Sequence, residues 1–127
     1  MSAANKRKGS ALEREALQLG RDRGHQIERL RLAGREDEGD LALQGGRGLV
    51  TILEAKNRAR FTPGPWMDEA VIEASNWAKH RNHLGPEPIP AVLAKRRMKG
   101  IEDAFLILRY ADYLDINRLL RHRYDKT

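Results

Sequence analysis

The sequence predicts an α/β protein whose mixed sheet, an antiparallel meander plus a crossover strand, is flanked by helices. Three observations lead there. Helical and extended segments follow one another in the order α-β-β-β-α-β-β-α. The stretch LVTILEAK (49–56) is apolar on both faces, with Val50 and Ile52 on one and Leu49 and Leu53 on the other, the pattern of a central strand covered on both sides. GGRG (45–48) just before it is a turn rich in the residue that tolerates positive φ, so 40–56 reads as a β-hairpin.

Each element has its own signal. Ser10 is an N-cap candidate, with Glu13 three residues on as its capping-box partner. The first helix then runs to about Arg23, buries Leu12, Ala16 and Leu19, and ends at Gly24. Residues 1–8 ahead of it, with Lys6, Arg7 and Lys8, read as a mobile basic arm. HQIERLRLA (25–33) is the first strand, GREDEG a loop, and DLALQ (40–44) the second strand. NRARFTPGP (57–65) is an exposed linker. The second helix covers 66–83, with Ala70, Ala74, Trp77 and Ala78 on its packed side; Trp66 and Trp77 read as core or dimer residues before a role in stacking on bases. IPAVLAKR (89–96) and AFLILRY (104–110) are strands, and 112–122 is a helix with Tyr113, Ile116 and Leu120 on one side.

Length and composition bound the class. The 127 residues make one domain, 1–127, and its 33% charged and 40% hydrophobic residues suit a globular protein. There is no Cys, which excludes disulfides and Cys-based zinc sites and favours an intracellular, cytoplasmic home. The N-terminus has no apolar core, so no signal peptide is expected, and no apolar run is long enough for a membrane span. The net charge of +6 favours a polyanion, nucleic acid first.

The central strand ends in Glu54, Ala55 and Lys56, and residues two apart on a strand share a face. The hairpin register brings Asp40 opposite residues 53–54, so Asp40 and Glu54 converge with Lys56 beside them, although a one-residue slip would turn Asp40 to the other face. Adjacent carboxylates need a proton or a cation between them. Mg²⁺ suits such oxygen ligands, lowers the pKa of a bound water and neutralises charge on a phosphate. An ammonium nearby orients that water or stabilises the anionic transition state. Singly, Glu-x-Lys is a common surface pair and Asp before a strand a common turn residue. Together they form a kit for phosphodiester hydrolysis.

The layout resembles the PD-(D/E)XK nuclease superfamily and, within it, the archaeal- and phage-type Holliday junction resolvases. KGSALERE (8–15) is similar to the family's N-terminal helix motif, RLAG (31–34) to its Arg-x-Ala-Gly segment, GD (39–40) to the motif Asp with Gly39 in place of Pro, and LEAK (53–56) to the E-x-K. The resemblance covers about 8–97. It implies a restriction-endonuclease-like fold, with Glu13, Asp40, Glu54 and Lys56 catalytic. Glu13, Asp40, Glu54 and the Ala55 carbonyl would hold Mg²⁺, for which Mn²⁺ is expected to substitute. It implies Arg14 and Arg31 on phosphates, with Asp37 the rival to Asp40. The implied function is a Mg²⁺-dependent endonuclease resolving four-way DNA junctions, as a homodimer, in a bacterial or phage-infected cell. The alternatives are another nuclease of the superfamily, of nicking, repair or restriction type, and a non-catalytic basic DNA-binding module.

Other residues carry two readings each. Arg58 and Arg60, with Phe61 nearby, form a DNA-contacting loop or a solvated linker. Lys95, Arg96 and Arg97 in KRRMK meet phosphates or form an ordinary charged turn. His25, His80, His83 and His122 show no metal spacing with a carboxylate neighbour and read as surface residues. The C-terminal RLLRHRYDKT is a solvated helix end or an auxiliary DNA arm.

Overall fold

The computed structural model describes residues 3–30 and 36–124. It contains three helices, α1 (Ala3–Asp22), α2 (Pro63–His80) and α3 (Tyr110–Tyr124). Five strands, β1 (Gln26–Arg29), β2 (Leu41–Gln44), β3 (Val50–Lys56), β4 (Ile89–Ala94) and β5 (Phe105–Ile107), form one sheet in the order β1-β2-β3-β4-β5. β3 pairs antiparallel with β2 and parallel with β4, and α2 makes the crossover between them. The remaining pairs are antiparallel. This is the expected mixed sheet flanked by helices. Among the described residues no helix is long and apolar enough to cross a membrane.

The alternation along β3 divides the core into two layers. Val50 and Ile52 pack with Ala42, Ala74 and Trp77 on the α2 side. Leu53 packs with Ile27, Leu41 and Ala91 on the other side, under Ala16 and Leu17 of α1. Trp66 and Ala70 complete the α2 layer against Val92 and Ala94 of β4. Both tryptophans are therefore core residues. Burying Leu41 and Ile52, which keep 0% and 1% of their surface, stabilises the fold by about 1.5–3 kcal/mol per large side chain.

Four expectations need correction. α1 begins at Ala3, so Ser10 lies within it, and its Oγ accepts from Arg29 Nη2 at 2.8 Å instead of capping the helix; residues 3–8, expected as an arm, belong to the same helix. β1 stops at Arg29, and 31–35, with Arg31, lie outside the described residues. β5 is shorter than expected because α3 already starts at Tyr110. In α3, Tyr113 and Leu120 are half exposed, whereas Asp112, tied to Arg109 at 2.8 Å, is buried. An amphipathic stripe shows which side of a helix would be buried, not whether a partner covers it.

Candidate active site

The register places Asp40 as expected. Leu41 faces Leu53 across the β2–β3 ladder, and the Asp40 N–H donates to the Leu53 carbonyl at 2.9 Å, so Asp40 stands opposite Glu54. One carboxylate oxygen of Asp40, Oδ2, accepts the Ala55 N–H at 2.8 Å. In a strand the N–H and C=O of one residue point to the same side. The Ala55 carbonyl thus faces the space beyond the end of β2, beside Asp40. Asp37 Oδ1 accepts the Gly39 N–H at 2.9 Å and closes the turn before the strand, near enough for its charge to raise the pKa of Asp40 and Glu73.

Gly39 explains its own departure from the Pro of the motif. Its φ is +97°, which proline cannot reach. A Cβ there would lie 2.7 Å from Ile52 Cγ2 and 3.4 Å from Glu73 Oε2. The bare backbone lets α2 approach the strand ends.

That approach adds two residues that the sequence reading did not single out. Glu69 and Glu73 project from α2, one turn apart, toward the face of β3 that carries Glu54 and Lys56. Glu54, Glu69 and Glu73 each offer an oxygen within 4.8 Å of the others. Glu73 is 2% exposed and Glu54 7%. Both oxygens of Glu73 and Oε2 of Glu54 lack a hydrogen-bond partner. The clue was present in the sequence: Glu73 interrupts the apolar stripe Trp66, Ala70, Ala74, Trp77, and a carboxylate inside a packed stripe requires a partner.

Burial and mutual repulsion govern the charges. Burial pushes Glu54 up to about 7, with the Asp40 charge adding to it. Burial pushes Glu73 up to about 11, and the neighbouring Glu54 carboxylate adds to the rise. Asp40 is raised by burial against the opposing Ala55 hydrogen bond. Burial also raises Glu13, on the edge of α1, and Asp40 contributes; Arg29, 3.3 Å from Glu13, pulls the other way. Burial alone would lower the Lys56 ammonium, but the hydrogen bond to Glu69 at 3.0 Å and the Glu54 charge at 3.5 Å raise its pKa. The cluster thus carries more acid than Lys56 neutralises. Donor-less buried oxygens of two carboxylates, Glu54 and Glu73, with Glu69 beside them, are hard ligands and fit a divalent cation of the Mg²⁺ type.

The expected phosphate contacts divide. Arg58, Lys95, Arg96 and Arg97 line one cavity of about 350 Å³ together with Lys56. Arg14 donates to Ser10 on the exposed side of α1, and Arg60 is exposed in the linker. His80, expected without a carboxylate neighbour, bridges Glu36 at 2.8 Å and Glu38 at 2.6 Å. Its pKa is raised by those contacts, Glu36 first, and it fastens the strand-entry segment to the end of α2.

No family model matches the chain, and no curated protein matches it in sequence.

Proposed function

We propose that this chain is a divalent-metal-dependent DNA endonuclease whose substrate is a four-way junction. One observation carries the reading: buried carboxylates without donors adjoin a lysine that lines a cavity whose only charged residues are cations. Glu54, Glu69 and Glu73, whose oxygens converge, would hold Mg²⁺, or Mn²⁺ in its place, with Asp40 beside Glu54 as a further ligand. When bound, the ion supplies a water of lowered pKa and offsets the charge on the phosphate under attack. The Ala55 N–H fixes the Asp40 carboxylate, and Lys56, braced by Glu69, aims its ammonium at the attacking water and the developing anion. Glu13 adds negative charge from α1, and Arg58, Arg96 and Arg97 hold flanking phosphates.

A four-way junction is nearly two-fold symmetric, so paired cuts call for a homodimer. The half-exposed or more exposed Tyr110, Tyr113, Leu114 and Leu120 on α3 support one. Sedimentation at micromolar concentration is expected to give twice the chain mass, and Tyr113→Lys with Leu120→Lys to give the monomer. The substrate is tested by incubating the protein and Mg²⁺ with a synthetic four-way junction and with a linear duplex of matching sequence. Symmetric cuts near the branch point support the reading. Equal cutting of both substrates would leave a less selective nuclease, and binding without Mg²⁺-dependent cutting a DNA-binding module.

A further inference from the structure

The cavity beside Lys56 holds aromatic rings as well as cations. Phe61, in the linker after β3, meets Trp66 edge to face with centroids 5.4 Å apart, and tilts against Phe105 of β5 at 6.2 Å. Trp66 is buried, whereas Phe61 is 57% and Phe105 49% exposed. The Arg96 guanidinium lies 4.9 Å from the centre of the Phe105 ring. Every charged residue lining the cavity is a cation: Lys56, Arg58, Lys95, Arg96 and Arg97. Among the described residues, Arg58, Lys95, Arg96 and Arg97 have no carboxylate within ion-pair distance.

Two half-exposed phenyl rings do not suit a phosphate, and five cations do not suit an apolar ligand. A nucleotide has both an anion and a π-face. A base inside a duplex is covered above and below by its neighbours, so only an unpaired base has a free face to give. The buried Trp66 stiffens the platform from beneath, which lowers the entropy lost on binding.

We infer that Phe61 and Phe105 form a stacking platform for an unpaired nucleobase, with its flanking phosphates on Arg58, Arg96 and Arg97. Given the nuclease reading on which this rests, the strand is cut next to an unpaired nucleotide. The substrate class is then DNA with a single-stranded nucleotide at the edge of a duplex, as found at flaps, at bubbles and at a four-way branch point whose flanking base pairs have opened.

The test measures binding in Mg²⁺-free buffer to a blunt duplex and to the same duplex with a short single-stranded tail carrying 2-aminopurine. The tail is expected to tighten binding about 5-fold or more, the lower end of what base-on-aromatic stacking contributes, and binding to quench the 2-aminopurine fluorescence. Phe61→Leu with Phe105→Leu should lose both the preference and the quenching and keep the duplex affinity. Phe61→Trp, which keeps a ring, should retain both, and thermal melting of each variant confirms that it is folded. The inference is overturned if the tail adds no affinity, or if the double Leu variant keeps the preference and the quenching. Cutting in Mg²⁺ without tail preference would sink the platform and spare the nuclease; tail preference and quenching without cutting would do the reverse.

Discussion

Two regions of opposite charge meet at Lys56, and they are built in opposite ways. The carboxylates sit on rigid elements, Glu54 on β3 and Glu69 and Glu73 on α2, with Glu54 and Glu73 buried. The cations sit on connections, Arg58 in the linker after β3 and Lys95–Arg97 in the turn after β4, and all keep some contact with solvent. Buried like charges are held together by packing around them and cost folding free energy until a proton or metal joins them. Exposed cations cost the fold little. The acid side is therefore expected to couple chemistry to stability, and the basic side to affect binding alone.

The largest expected effect lies where the two regions touch. Lys56→Met removes the only ammonium among the described residues that the Glu54–Glu69 pair contacts, and Glu54→Gln removes a proposed metal ligand. Each should lower the cleavage rate by about 10²–10³-fold or more, the scale of losing one group that stabilises a transition-state charge, while junction binding in a gel shift persists. Cleavage near the wild-type rate in either variant would place the chemistry elsewhere.

The next contrast is in pH. Glu54 and Glu73 are raised in the folded state to about 7 and about 11, above the unfolded carboxylate value. The folded protein then holds more protons than the unfolded one, so the stabilising contribution is complete below about pH 4.5 and falls as pH rises through those values. In EDTA the contribution of these groups should decline between pH 5 and pH 8, with a slope approaching about 1.4 kcal/mol per pH unit for each proton held. Glu73→Gln should flatten that slope. Mg²⁺ should raise the melting temperature more at pH 8 than at pH 5, because binding displaces the proton. Identical pH profiles for the wild type and Glu73→Gln in EDTA would break the contrast.

Gly39 comes third. Gly39→Ala forces a Cβ to within 2.7 Å of Ile52 Cγ2 at a φ of +97° and should cost about 1–3 kcal/mol in denaturant unfolding. An unchanged unfolding midpoint would mean that the strand ends need no such close approach.

The sequence made the sheet legible because β3 is apolar on both faces and its turn is glycine-rich, which fixes the register that sets Asp40 opposite Glu54. It made Glu69 and Glu73 hard to see, because helix carboxylates usually face solvent; only the place of Glu73 within a packed stripe separates it from them. The Ser10 start of α1 misled because a good capping signal does not stop a helix when the residues before it also favour one, as Ala3–Lys8 do. The exposed side of α3 could not be read because burial depends on whether a partner exists, and periodicity carries no information on that.

The smallest effect tests the basic side alone. Arg58→Ala should leave the melting temperature within measurement error, since the residue has no ion pair among the described residues and lies in a connection. It should weaken duplex binding without regard to sequence, and reduce the slope of log K against log salt by about 1, as expected when one phosphate contact is lost. Arg96→Ala should do the same and also remove the cation over Phe105. An unchanged slope in both variants would mean that the DNA backbone does not follow this groove. A large loss of stability would show that these cations support the fold, and the division between a costly acid side and a low-cost basic side would fail.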